Sequence, residues 1–357
     1  MTTHKFISQN SNDLSSIEDK SVNLIITSPP YPMIEMWDEI FSKQDPSIKE
    51  ALNTGDGNVA FSKMHEVLNS VWNECDRVLK DNGFVCINVG DATRTINDDF
   101  QLYSNHTRII DFFISKGYSV LPDVHWRKQS NSPNKFMGSG MYPAGAYVTY
   151  EHEYILIFRK GGKRVFKGSE KILRQKSAFF WEERNIWFSD LWEIKGVSQS
   201  ITKTKATRDR NASFPFEIPY RLINMYSVEG DTVLDPFAGL GTTSIACMVS
   251  NRNSIGVDID NEIVNLALDN MNIDISTANE FIHNRIKKHL SFIDSLQDDK
   301  KAKCYKNEPH GFPVKTRQET AIEIDQLSEI KKITNGYECI YTKYNPSSFP
   351  EQMTFSI

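Results

Sequence analysis

Two short stretches of the 357-residue chain carry residue types that could do chemistry together. The first, Thr27-Ser28-Pro29-Pro30-Tyr31, follows the apolar run Val22-Asn23-Leu24-Ile25-Ile26. Open α/β sheets place their reactive groups at the carboxyl ends of such strands. Two consecutive prolines fix the backbone and remove two donors, so carbonyls can point into a site rather than into a ladder. A serine hydroxyl and a neighbouring carbonyl could then hold both hydrogens of an amino group, and the Tyr31 ring offers a stacking face for an unstacked base. Taken alone the stretch also reads as a polyproline turn; its place after a strand favours a site.

The second is Asp235-Pro236-Phe237-Ala238-Gly239-Leu240-Gly241-Thr242-Thr243, directly after Thr232-Val233-Leu234 and opening a helix. Its glycines let the backbone approach a ligand, and a helix N-terminus presents unpaired N–H groups. About twenty residues on, Asp258 closes the next strand, where a carboxylate can accept hydrogen bonds from both hydroxyls of a ribose. A Gly-rich turn without a ligand would look similar. A nicotinamide dehydrogenase is disfavoured, because Ser244 stands at the third glycine position of the G-x-G-x-x-G pattern.

The elements that must position these stretches alternate as in a parallel α/β protein. Residues Met64 to Leu79 have apolar positions at helical spacing, and Asp81-Asn82-Gly83 turns the chain into a strand from Phe84 to Val89. A helix is predicted from Thr107 to Ser115, with strands at Ser119–Trp126 and Tyr154–Phe158. A helix from Thr243 to Val249, a strand from Ser254 to Ile259 and an amphipathic helix after Asn261 complete the pattern. The polar stretch around residues 33–58 reads as a mobile loop. These boundaries divide the chain into residues 1–158, with the catalytic stretch, a segment 159–210, residues 211–290 with the cofactor stretch, and a C-terminal extension 291–357 that reads as a small appended module.

Charge is unevenly distributed. Residues 159–210 hold 14 lysines and arginines against 6 acidic residues, a net +8, which leaves −13 for the rest of a chain whose total is −5. A basic block in an acidic protein is what a phosphate-contacting segment would give, although a solvated loop would give it too. The block holds Trp181, Trp187 and Trp192, whose spacing fits a core better than base contacts. Five scattered cysteines with no CxxC pair argue against a disulfide framework or a zinc site, and the eight histidines show no ligand spacing. No apolar run reaches the roughly 20 residues of a membrane span, and no signal-peptide core follows Met1, so a cytoplasmic protein with no membrane partner is expected.

In combination the two stretches resemble the catalytic and cofactor motifs of the amino-methyltransferases of DNA, and their order, catalytic before cofactor, resembles the beta class. Asp76-Arg77-Val78-Leu79-Lys80-Asp81-Asn82-Gly83, Trp126-Arg127-Lys128, Asn131-Ser132-Pro133 and Tyr150-Glu151-His152-Glu153-Tyr154-Ile155-Leu156-Ile157-Phe158 resemble further parts of the family. So does Phe214-Pro215-Phe216-Glu217-Ile218-Pro219, which resembles the segment flanking the methionine part of the cofactor. The resemblance spans roughly residues 5 to 275. It implies a Rossmann-like fold in circularly permuted order, a mostly parallel sheet with helices on both faces. It also implies S-adenosylmethionine as cofactor, no metal, double-stranded DNA as substrate, and a cognate restriction endonuclease as partner.

Carried over residue by residue, the catalytic group is Ser28, Pro29, Pro30 and Tyr31. The cofactor group is Asn10, Thr27, Phe214, Pro215, Asp235, Pro236, Phe237, Gly239, Gly241, Thr242, Thr243 and Asp258. The family often has Gly-Asp where this chain has Gln9-Asn10, and Asn10 can still bond an adenine edge. The Ser-Pro-Pro-Tyr form is linked in the family to cytosine N4, and the Asp-Pro-Pro-Tyr form to adenine N6, which stays the alternative target. An inactive methyltransferase-like nucleic-acid binder is the remaining reading. C5-cytosine chemistry needs a thiolate, in that family a Pro-Cys pair, and no cysteine here follows a proline.

Overall fold

The structure is a computed structural model that describes residues 1–128, 141–145, 147–196 and 214–345. The chain opens with β1 (Thr2–Ser8) and β2 (Val22–Thr27), then a helical stretch (Glu35–Trp37, Asp38–Gln44, Pro46–Thr54) and the long helix Gly57–Val78. Next come β3 (Leu79–Val89), a hairpin of β4 (Ala92–Ile96) and β5 (Asp99–Tyr103), and the helix Asn105–Ser115. The antiparallel strands β6 (Ser119–Arg127) and β7 (His152–Arg159) follow. Two short helices, Ser169–Lys176 and Trp181–Trp187, lead to β8 (Leu191–Trp192). Helix Glu217–Tyr226, β9 (Thr232–Asp235), helix Thr242–Val249, β10 (Asn253–Asp258) and helix Asn261–Met271 build the cofactor half. Helix Ile275–Asp294 precedes a short ladder, β11 (Tyr305–Lys306) with β12 (Pro313–Val314), and a final hairpin, β13 (Asp325–Ile333) and β14 (Gly336–Lys343).

Ten of these strands form one sheet in the order β13-β14-β1-β10-β9-β2-β3-β7-β6-β8. Its centre, β1-β10-β9-β2-β3, is parallel, and β7 and β14 run antiparallel against the two ends of that centre. Both faces are covered, and the strands show it residue by residue. Ile155 and Ile157 of β7 join one core while Leu156 and Phe158 join the other. Cys86 and Val85 of β3 divide in the same way. Near-continuous apolar runs are what two-sided burial demands. The α/β fold with helices on both faces is therefore as the sequence predicts.

Two expectations are corrected. Residues 33–58 are not a loop: they are helical, with Phe41, Ile48 and Ala51 buried. Local chemistry explains it. Asp45 caps the second helix by accepting the Ser47 N–H, Pro46 sits at its first position, and Gly55 ends it at φ +80°. Asp56 then caps the long helix through the Val59 N–H.

The C-terminal extension is not a separate module. β14 pairs with β1 from Thr2↔Cys339 to Lys5↔Gly336, which places the hairpin at the edge of the central sheet.

Three cations in the described part of the basic segment are held by ion pairs, while Lys163, Lys167 and Lys171 are exposed. Lys160 pairs with Asp76 at 2.9 Å, Arg164 with Asp231 at 2.7 Å and Lys176 with Glu323 at 2.7 Å. Trp187 and Trp192 are buried in the core, as their spacing suggests, while Trp181 is exposed and stacks on Phe292. Arg285 forks onto both oxygens of Glu183, and His289 meets Glu182 at 2.7 Å, so the segment docks on helix Ile275–Asp294. Lys203, Lys205, Arg208 and Arg210 lie outside the described residues. Among the described residues, no helix is long and apolar enough to cross a membrane.

Candidate active site

β2 and β9 are adjacent parallel strands, with Leu24 opposite Val233 and Ile25 opposite Leu234. Their carboxyl ends therefore bring the two sequence motifs side by side. The join is made by a buried carboxylate. Asp235 accepts the Thr27 hydroxyl at 2.7 Å on one oxygen and the Thr243 hydroxyl at 2.6 Å on the other. The Phe237 N–H adds a third bond at 3.1 Å. Burial pushes this carboxyl up to about 6, against the pull of those three hydrogen bonds.

A cavity of about 450 Å³ opens above this corner, within the range of small-molecule sites. Ser28, Pro29 and Pro30 line one part, and the loop Asp235–Gly239 with Thr242, Thr243 and Asp258 lines another. Asn10 and Phe214 also reach it. Of the residues singled out in the sequence, Thr27, Tyr31, Pro215 and Gly241 do not line it. Thr27 lies beneath it on Asp235. Gly241 precedes helix Thr242–Val249 at φ +84°, where a side chain would be strained and would press on Phe6.

Asp258 braces the loop. One of its oxygens accepts the Gly239 N–H at 3.1 Å and the other the Asp260 N–H at 3.0 Å. Burial raises this carboxyl too. The Asn10 amide donates to Gln44 Oε1 at 3.0 Å.

Several cavity residues have no counterpart in the sequence motifs. Trp37, Ile40 and Gln44 come from the helical stretch expected to be a loop, and Val67, Leu68 and Val71 from the long helix. A signal for the first group exists, since Trp37, Ile40, Phe41 and Gln44 recur at helical spacing.

Tyr31 faces a second, polar constellation instead of the cavity. Its hydroxyl lies 3.0 Å from Ser28 Oγ, donates to Glu153 Oε2 at 3.0 Å and accepts from Asn88 Nδ2 at 2.9 Å. Asn88 Nδ2 also donates to Glu153 Oε2 at 2.6 Å, and Lys128 pairs with Glu153 Oε1. Burial, with the Glu153 charge beside it, holds the Tyr31 phenol well above its ordinary value. One edge of the ring packs close to Gly90, where an added Cβ would come within 3.1 Å of Cε2. Glu153 lies in a stretch that resembles the family, but nothing local in the sequence places it or Asn88 beside Tyr31. The histidines, which show no ligand spacing in sequence, include His289 brought near Glu182 and Glu319; none of the three lines the cavity.

A doubly covered parallel sheet, a Gly-rich loop with a buried carboxylate at its cavity, and Ser-Pro-Pro beside it form a site with room for a small-molecule cofactor. The matches to known proteins make the class specific. A family described as DNA methylase, of the N6/N4 type, matches residues 22–269, and the chain belongs to this family, the amino-methyltransferases of DNA found in restriction-modification systems. Type II methyltransferase M.MthZI of Methanothermobacter thermautotrophicus is 52% identical over 349 residues, 97% of each chain. Type II methyltransferase M.MjaI of Methanocaldococcus jannaschii is 48% identical over 277 residues, 73% of this chain and 89% of that one. Among solved structures, a putative DNA modification methylase of Thermus thermophilus, complexed with S-adenosyl-L-methionine, superposes with a TM-score of 0.56 at 28% identity, covering 75% of this chain and 94% of that one. PvuII DNA methyltransferase (cytosine-N4-specific) shares the fold at a TM-score of 0.54 and 19% identity, over 80% and 93% of the two chains.

The cofactor of this fold and family is S-adenosylmethionine. The cavity lining fits it: Asp258 would hold the ribose hydroxyls, and Pro236, Phe237 and Ile40 are apolar residues that would pack on its base.

Proposed function

We propose that this chain is a site-specific methyltransferase that moves a methyl group from S-adenosylmethionine to N4 of a cytosine in double-stranded DNA. In this reading it is the modification enzyme of a restriction-modification system, acting beside a cognate endonuclease. The observation that carries the cytosine assignment is Ser28, which stands before Pro29-Pro30-Tyr31 and lines the cavity next to the cofactor loop. The high identity to Type II methyltransferases supports the DNA substrate and the modification role.

The exocyclic amine is a poor nucleophile because its lone pair is delocalised into the ring. Ser28 Oγ and the Pro29 carbonyl would accept its two hydrogens and favour the pyramidal nitrogen of the transition state. S-adenosylmethionine, held by Asp258 and the loop around Gly239, supplies an electrophilic methyl group. Positioning of the two reactants supplies much of the acceleration. The exposed Lys163, Lys167 and Lys171 of the 159–210 segment would meet DNA phosphates during target recognition. Mass analysis of nucleosides from DNA treated with the protein and S-adenosylmethionine tests the assignment: N4-methylcytosine is expected, and N6-methyladenine in its place would overturn it.

A further inference from the structure

The hydrogen bonds around Tyr31 have only one consistent polarity. Tyr31 owns a single hydroxyl proton, and a carboxylate oxygen can only accept, so that proton is committed to Glu153 Oε2 at 3.0 Å. Asn88 Nδ2 has no lone pair to offer and donates to both Tyr31 and Glu153. Ser28, 3.0 Å from Tyr31 Oη, therefore has to be the donor in that contact. Its proton turns away from the cavity, and its lone pairs are left for whatever enters. Lys128 on the other oxygen of Glu153 holds the carboxylate from behind, and Glu153 itself is buried. A chain of two 3.0 Å hydrogen bonds thus runs from the cavity wall to a buried carboxylate.

We propose that Glu153 is a positioning residue for methyl transfer: acting through Tyr31, it fixes Ser28 as an acceptor toward the target amine and takes up the proton that the amine sheds. This rests on the reading of Ser28 given above. As the new N–C bond forms and the methyl–sulfur bond breaks, the sulfur keeps the electron pair and the amine nitrogen becomes cationic. One N–H proton then passes to Ser28 Oγ, leaving its electron pair on nitrogen. The Ser28 proton moves to Tyr31 Oη, and the Tyr31 proton moves to Glu153 Oε2. Ser28 and Tyr31 end neutral as they began, Glu153 ends as the neutral acid, and it returns the proton to water before the next turnover. Tyr31, whose phenol burial disfavours ionisation, serves as a neutral conduit.

The test is single-turnover methylation of DNA in H2O and D2O by the full-length wild type, Ser28→Ala, Tyr31→Phe and Glu153→Gln, with cofactor and DNA dissociation constants measured alongside. Glu153→Gln can still accept from Tyr31 but is no longer a proton sink. It and Tyr31→Phe are expected to slow the methyl-transfer step by about 100-fold, with both dissociation constants unchanged and the wild-type solvent isotope effect lost. If Glu153→Gln is slow yet keeps the isotope effect, the role is only structural and the proposal is overturned. If it reacts at the wild-type rate while Ser28→Ala is slow, the relay is wrong and the Ser28 reading stands. A wild-type rate in Ser28→Ala would overturn both. Should Glu153→Gln fail to fold, Tyr31→Phe breaks the same chain at its middle and carries the decision by the same criteria.

Discussion

Thr27 gives its hydroxyl proton to Asp235 across 2.7 Å, and this one contact joins the catalytic strand to the cofactor loop across 208 positions of sequence. Thr243 takes the opposite oxygen of the same carboxylate, so the start of the helix Thr242–Val249 is held to the same point. Asp235 is therefore first a structural tie. Its cavity edge is a consequence of where the tie must sit.

The tie has a measurable pH signature. The folded-state pKa of Asp235 is raised from 3.8 to about 6, so the folded protein binds this proton more tightly than the unfolded chain does. Its contribution to stability is then greatest below about pH 4 and falls as pH rises through about 6. Asp235→Asn cannot ionise. Its stability relative to wild type should improve between pH 4 and 6, by on the order of 2 to 3 kcal/mol, and stay level above that. Denaturant melts across the range decide it, and parallel curves for the two proteins would contradict the account.

Asp258→Ala should weaken S-adenosylmethionine binding by roughly 10- to 100-fold, the loss of one or two hydrogen bonds to a ribose. Titration calorimetry measures this directly. An unchanged dissociation constant would move the ribose contact off this residue. Asp260 is a poor substitute, since it already caps the helix Asn261–Met271 through the Glu262 N–H.

The helix Asp38–Gln44 closes one wall of the cavity, and Ile40 is half-buried there. Ile40→Ala removes three carbons from that wall while leaving the buried Phe41 in place. The cofactor dissociation constant should rise by roughly 5- to 10-fold with little change in melting temperature. Wild-type affinity would mean that this helix only frames the entrance.

Gly336 sits where β14 meets β1, and a Cβ there would lie 1.9 Å from the His4 carbonyl oxygen. Gly336→Ala should cost about 1 to 3 kcal/mol of global stability by overpacking, read from the main unfolding transition. If the C-terminal hairpin were an independent appendage, that transition would not move.

How much of this is readable in the sequence depends on how locally each element is specified. β2, β3 and β7 declare themselves because burial on both faces demands continuous apolar runs, and the cofactor loop does so through its glycines. β1 is silent: its inward residues are Thr2, His4 and Phe6, and the two polar ones are satisfied by each other and by partners distant in sequence, including Ser254 and Tyr341. Residues 33–58 look like a loop on average because they are rich in charged and polar residues, although Asp45-Pro46 and the apolar Phe41, Ile48 and Ala51 of the two successive helices are there to be read. The Asn335-Gly336 pair signals a hairpin, but not that the hairpin would dock beside β1. The same limit applies to the site. Ser28 and Asp258 are named by their motifs, whereas the contact of Glu153 with Tyr31, 122 positions apart, exists only once β2, β3 and β7 lie side by side.

The central claim is that the amine methylated is N4 of cytosine. The direct test is mass spectrometry of nucleosides from mixed-sequence DNA incubated with the purified protein and isotopically labelled S-adenosylmethionine, with Ser28→Ala alongside. Labelled N4-methylcytosine, strongly reduced in Ser28→Ala, is the predicted result. Labelled N6-methyladenine would contradict the cytosine assignment while keeping the family's chemistry, and unmodified DNA would contradict the proposed activity itself.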